Sequence, residues 1–254
     1  MTTTKTFAAS AKQSQPSDWA PLYRAAAIAA LITLALILLD TMISAAAGGG
    51  EAAPGSLSAV EWFAVFNSQP LRAMRDLGVL NIVNSILSIP VFIALYVLHQ
   101  RDQRPLAGLA IILFLFGSAI YIANNTVLPM LALSGQYAAA ISESQRLALA
   151  AAGEAMLARG ADFTPGSLVG FVLPSLANIL MAVVVLRGAV FGKAAGYVGV
   201  AGFTLLLAFT IWVTLVPAAL DTALLVLAFP GGIAVLAWNI IIVRRLFQVA
   251  RHDH

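Results

Sequence analysis

Asp40 stands out first, as a carboxylate directly behind the apolar run Ala35-Leu36-Ile37-Leu38-Leu39. Asn81, Asn84, Ser85 and Ser88 follow at spacings of three, four and seven, which puts them on one face of a helix. Ser118, Tyr121 and Asn125 share a second such face with Asn124 alongside, and Trp212 and Thr214 lie near the end of a later apolar run. In lipid a charged Asp at a helix centre costs about 2.5–3.5 kcal/mol on the insertion scale, while each Leu, Ile or Val returns about 0.3–0.6. Asp40 is therefore expected to face protein. Burial would raise its pKa and hydrogen bonds to the anion would lower it, so its protonation depends on its partners.

Asp40, Asn81, Asn84, Tyr121, Asn124, Asn125 and Thr214 fall at similar depth and could line a polar cavity that takes a small ligand or ion. Buried donors and acceptors need partners, and a guest can supply them. The competing reading is that Asn and Ser bond helix to helix, contributing about 0.6 kcal/mol each. Asn178 with Ser175, and Asn239 beside Trp238, lie deeper, where interhelical hydrogen bonds are expected.

Other chemistries are excluded. With 0 Cys there is no disulfide, thiolate nucleophile, Cys-ligated zinc or iron–sulfur cluster. The 3 His, at 99, 252 and 254, lie at the edges of apolar runs, so intramembrane haem or di-iron ligation and Ser–His hydrolysis lack an imidazole. His252-Asp253-His254 could hold a metal loosely, but a frayed terminus is the simpler meaning. A paired-carboxylate site would need a partner for Asp40, and Asp221 belongs to a turn. Acid–base work on lipid has only Asp40 and Glu154 as candidates. No Gly-rich phosphate loop is present. No catalytic residue, cofactor or metal is expected, and the chain reads as non-enzymatic.

The elements that must position these residues follow from composition. Of 254 residues 61% are hydrophobic and 10% charged, with a mean hydropathy of +0.92. Soluble domains carry about 25% charged residues, so this is an integral membrane protein. Six stretches suit spanning helices: 25–47, 77–98, 106–128, 168–186, 197–216 and 222–243. The last is interrupted by Phe229-Pro230-Gly231-Gly232 and should kink there. The fold expected is all-α, a polytopic bundle of six transmembrane helices with one or two short outer-face helices. Ser58 with Glu61, and Ser142 with Gln145, have capping-box spacing. The first should open a helix whose Trp62, Phe63 and Phe66 rest on the outer leaflet, the alternative being that it packs on the bundle as a plug. The second should open one over 142–159 that stops at Gly160. Thr126-Val127-Leu128-Pro129 resembles Thr214-Leu215-Val216-Pro217, and Asn84-Ser85-Ile86-Leu87 resembles Ala177-Asn178-Ile179-Leu180, as in a parallel hairpin repeat.

Basic residues divide 10 to 4 between the two faces, which assigns both termini to the cytoplasm. Residues 1–24 then form a cytoplasmic leader, 25–243 the six-span domain and 244–254 a basic tail. The first apolar run is longer than a signal-peptide core, so an uncleaved anchor is preferred. The net charge of +3 reflects this topology and gives no reason to expect nucleic acid. Glu51, Glu61, Glu143, Glu154, Asp162 and Asp221 fall in or beside outward loops as a solvated acidic surface.

Ala123-Asn124-Asn125-Thr126-Val127-Leu128-Pro129-Met130-Leu131, then Ser134-Gly135-Gln136-Tyr137 and Ala150-Ala151-Ala152-Gly153-Glu154-Ala155-Met156, resemble a known family. So does the ending, with Phe229-Pro230-Gly231-Gly232 and Trp238 before the basic tail. It comprises the bacterial six-span membrane proteins grouped as domain of unknown function 4386, and the resemblance extends over residues 24–251. It implies an inner-membrane setting and supplies no catalytic residues. The leading expectation is a periplasm-facing polar cavity that binds, passes or senses a small ligand. The alternative is a structural or accessory subunit bound to another membrane protein or to its own copy, with membrane lipid as a partner in either case.

Overall fold

The computed structural model describes residues 19–46 and 57–252. Most of the expected leader, Lys5 and Lys12, the Gly-rich turn with Glu51, and Asp253-His254 lie outside the described residues. Among the described residues there is no strand.

The spanning helices are α1 (Ala20–Ala46), α4 (Val79–His99), α5 (Arg104–Asn124), α8 (Leu168–Arg187), α9 (Lys193–Leu215) and α11 (Phe229–His252). Six stretches are long and apolar enough to cross a membrane, as expected. Each spanning helix packs on the next in chain order, and α11 returns to α1, which closes a ring. Small residues allow the close approach that lipid-embedded helices rely on, among them Ala26, Ala27, Ala94, Ala107, Ala110, Ala177 and Ala182, all buried. Ile28, Leu31, Leu39 and Met42 of α1 and Ile112 and Phe116 of α5 stay exposed, as a lipid-facing surface requires.

Boundaries differ from expectation where tertiary contacts act. α1 starts at Ala20, within the stretch expected as leader, and α11 continues through the basic residues to His252. The third span stops at Asn124, and the chain turns into a separate helix, α6 (Val127–Ala139). An unanticipated helix, α3 (Pro70–Asp76), precedes α4 with Pro70 in its first turn, where the missing N–H is harmless. Before α11 come a short α10 (Leu220–Ala223) and a π-turn, Leu224–Ala228, in which Phe229 N–H bonds Leu224 O. The disruption expected from Pro230 is thus met by a widened turn just ahead of it. Pro90 follows Asn84 in α4, whereas Pro174 precedes Asn178 in α8, so the two hairpins break their ladders at different places.

One end of the ring carries a cap made of α2 (Ala59–Ser68), α3, α6 and α7 (Glu143–Gly160). The capping box at Ser58 and Glu61 forms, with Ser58 N–H donating to Glu61 Oε2 at 2.7 Å. These bonds hold the Glu61 carboxyl below its ordinary value. The aromatic face of α2 is a correction: Phe63 and Phe66 do not lie on a leaflet but are buried with Ala73, Val127, Met130 and Leu157 in a core of their own. Gly153 of α7 makes room for this, since a Cβ there would stand 2.6 Å from Ala59 Cβ and 2.8 Å from Phe63 Cζ. Ser142 caps α7 by accepting from Gln145 N–H at 3.2 Å. Gln145 Oε1 accepts from Ile141 N–H instead of completing the box.

Candidate functional site

Gly78 is the corner on which the site turns. It joins α3 to α4 with φ +90, and a Cβ there would stand 2.6 Å from Tyr121 Oη, 3.2 Å from Asn125 Nδ2 and 3.4 Å from Asp162 Oδ1. Only glycine both accepts that backbone and lets three polar groups close over it.

Around this corner lies a cavity of about 760 Å³ between the cap and the ring. Its walls come from Asp40 at the end of α1, Trp62 of α2, Arg72, Arg75 and Asp76 of α3, Asn81 of α4, Glu154 of α7, Asp162 and Phe163 in the α7–α8 loop, Phe209 of α9 and Asp221 of α10. Arg75 is held from two directions, by Asp76 at 2.7 Å and by Asp40 at 3.7 Å. Asp40 thus meets a counter-charge on the protein, as a carboxylate in an apolar run requires, while its side chain stays 45% exposed. Arg72 pairs with Asp76 at 3.5 Å, and Glu154 accepts from Ala59 N–H at 2.7 Å, tying α7 to the start of α2.

Asp162 forms the second half of the site. Its Oδ2 accepts from Asn81 Nδ2 at 2.9 Å and its Oδ1 from Tyr121 Oη at 3.1 Å. Burial pushes its carboxyl up to about 6, although both hydrogen bonds pull the other way. The expectation of a solvated surface acid is corrected here, because the loop between α7 and α8 folds this carboxylate against α4 and α5. The next residue, Phe163, takes φ 60, a left-handed backbone that costs an aromatic residue energy. Phe163 stacks on Phe171 at 5.8 Å and meets Phe209 edge-on at 5.4 Å.

Of the seven residues expected to share a cavity, Asp40 and Asn81 line it. Tyr121 and Asn125 stand behind its wall. Asn125 Nδ2 donates to Leu77 O at 3.2 Å and to Tyr121 Oη at 3.3 Å, and its Oδ1 accepts from Val127 N–H at 3.0 Å, which fixes the α5–α6 corner. Asn124 and Asn125 are adjacent and leave the helix in different directions. Asn124 therefore sits with Arg159, which donates to it at 2.9 Å, away from the cavity lining. Asn84 and Thr214 are also absent from the lining; Asn84 Oδ1 and Thr214 Oγ1 are buried and unbonded. Asn178 and Asn239 bond back to their own helices, to Pro174 O and Val235 O at 2.9 Å each, and so do not provide the interhelical bonds expected of them. His99 ends α4, at the edge of its apolar run as expected, and is buried with Nδ1 2.8 Å from Leu95 O.

Arg75, Asp162 and Gly78 were not expected as site residues. Asp162 is followed by Pro165-Gly166 and preceded by Gly160, which in one dimension reads as an ordinary loop. Its partners lie 81 and 41 residues away. Among the described residues no group of three His, Cys, Asp or Glu is arranged to hold a metal ion.

Six apolar helices in a ring, capped at one end over a charged cavity, define a multi-pass helical membrane protein. Residues 71–243, more than half of the chain, match the family described as Domain of unknown function (DUF4386), and the chain belongs to that family. The matched stretch takes in the site from α3 to α10 and leaves out Asp40 of α1 and Trp62 of α2. No curated protein and no solved structure matches the chain.

Proposed function

We propose that this is a non-enzymatic protein of the bacterial inner membrane whose capped cavity binds a small molecule, for passage or for sensing. The observation that carries this reading is the cavity of about 760 Å³, a volume in the range of small-molecule sites, walled by charged groups that the cap, the α7–α8 loop and α1 bring together at the end of an apolar ring. Arg75, Asp40 and Asp162, from three separate segments of the chain, converge on this cavity. The two carboxylates expected as acid–base candidates are both engaged on the protein: Asp40 faces Arg75, and Glu154 accepts from a backbone N–H. Neither is poised to exchange a proton with a substrate. The 10 to 4 division of basic residues orients the cap toward the periplasm, with both termini cytoplasmic.

Mass spectrometry of small molecules that co-purify with the protein in lipid nanodiscs tests the reading. Ala158 is an exposed residue of the cavity lining, so Ala158→Trp fills space there without repacking the core. A near-stoichiometric compound in the wild type that is lost in Ala158→Trp is the expected result. Bulk lipid alone in both would overturn ligand binding. It would leave the accessory reading, in which exposed apolar residues of the cap such as Leu71 and Ile141 meet another membrane protein or a second copy.

A further inference from the structure

Building on the ligand-binding reading, we propose that the cavity takes a small organic cation, a protonated or quaternary amine whose charge is held by Asp162 and whose carbon body packs on Trp62, Phe163 and Phe209. The lining carries five carboxylates, Asp40, Asp76, Glu154, Asp162 and Asp221, against two guanidinium groups, Arg72 and Arg75. Most of these charges already have counterparts on the protein. Asp76 is engaged by both arginines, Asp40 lies beside Arg75, and Glu154 caps a backbone N–H. Asp162 differs. Its hydrogen-bond partners are the neutral Tyr121 and Asn81, and among the described residues no Lys or Arg pairs with it. Desolvating an anion with no counter-charge is unfavourable, and a bound cation removes that penalty.

The aromatic walls specify what kind of cation. Trp62, Phe163 and Phe209 line the same cavity, and aromatic faces attract ammonium groups through their quadrupole. Phe163 follows Asp162 directly in the α7–α8 loop and both line the cavity, so charge and aromatic surface come from one loop. A bare divalent ion is disfavoured, because no three carboxylates are close enough to ligate one among the described residues. An anion would meet more carboxylates than guanidinium groups.

Benzyltrimethylammonium is the probe, measured by calorimetry on the full chain in nanodiscs, with neutral neopentylbenzene and anionic phenylacetate beside it. Its charge does not titrate, so any pH dependence belongs to the protein. The cation should bind about tenfold or more tightly than its neutral isostere, and Asp162→Asn should lose about that factor. Binding should weaken as pH falls below about 6, where Asp162 takes up a proton, and this dependence should vanish in Asp162→Asn. The other titratable groups near it are Asp40 on α1, Asp76 on α3, Tyr121 on α5, Glu154 on α7 and Asp221 on α10, all retained in that variant. Trp62→Leu, which leaves every charge in place, should weaken the cation severalfold if Asp162→Asn fails to fold, and Arg159→Gln, outside the lining, should not change it. Equal binding of neopentylbenzene, or unchanged affinity in Asp162→Asn, overturns the proposal. Phenylacetate bound in preference, and blocked by Ala158→Trp, overturns the charge and leaves ligand binding standing. Failure of all three probes also overturns the cation, and the co-purification experiment then decides separately whether any ligand binds.

Discussion

A half-buried carboxylate, Asp162, and a buried carboxamide, Asn125, do most of the positioning at this site, and each has a measurable signature. Asn125 makes three hydrogen bonds that join the α3–α4 corner, α5 and α6, so Asn125→Ala should destabilise the protein by about 2–3 kcal/mol. Its neighbour Asn124 meets an exposed Arg159, and Asn124→Ala should cost about 0.5 kcal/mol or less. Chemical denaturation in detergent measures both, and equal losses would contradict the arrangement. Asp162 supplies the pH signature. Its carboxyl is raised from 3.8 to about 6 in the folded protein, so between those pH values the native state holds a proton that the unfolded chain has released. Stability therefore falls as pH rises through that window, with a full penalty on the order of 2–3 kcal/mol above it. The stability difference between wild type and Asp162→Asn should move in favour of the variant from about pH 4 to about pH 7. A difference that ignores pH would place this carboxylate in water. The sequence made Asp40 and Asn81 visible, because a polar residue in an apolar run violates the surrounding pattern. It hid Asp162, since an acid in a polar loop violates nothing, and its burial is created by residues far along the chain.

Element boundaries show the same division between local and tertiary causes. The six spans were readable because the bilayer sets both their length and their composition. The cap at Ser58 was readable because its two bonds are made within four residues. Here Ser58→Ala should cost about 1 kcal/mol, measured by thermal unfolding. The stop at Asn125 was not readable: Val127 through Leu133 continues the apolar pattern, and only the side-chain bonds of Asn125 turn the chain into α6. Nor could the sequence decide between leaflet and bundle for Phe63 and Phe66, since an aromatic stripe suits a headgroup layer and a protein core alike. Where helices meet most closely, glycine sets the spacing. At Gly117 a Cβ would stand 2.7 Å from Leu173 Cβ, so Gly117→Ala should force α5 and α8 apart and lower stability by about 1–3 kcal/mol. A neutral substitution would show that this interface yields.

Taken whole, the chain offers a clean test of its own topology, since it contains 0 Cys and any introduced thiol is unique. Ser142→Cys, in the cap, should react with an impermeant maleimide on intact cells. Gln100→Cys, at the opposite end of the ring, should react only after permeabilisation, and the reverse pattern would invert the proposed orientation. The ring itself bears on biogenesis. Because α1, α4, α5, α8, α9 and α11 touch in the order in which they are made, each new helix can dock on the one inserted just before it. The contact between α1 and α11 is the exception, for it joins the first partner synthesised to the last. Until α11 arrives the bundle is an open arc with acyl chains lying along its two free edges, and maturation is the moment at which that seam expels them.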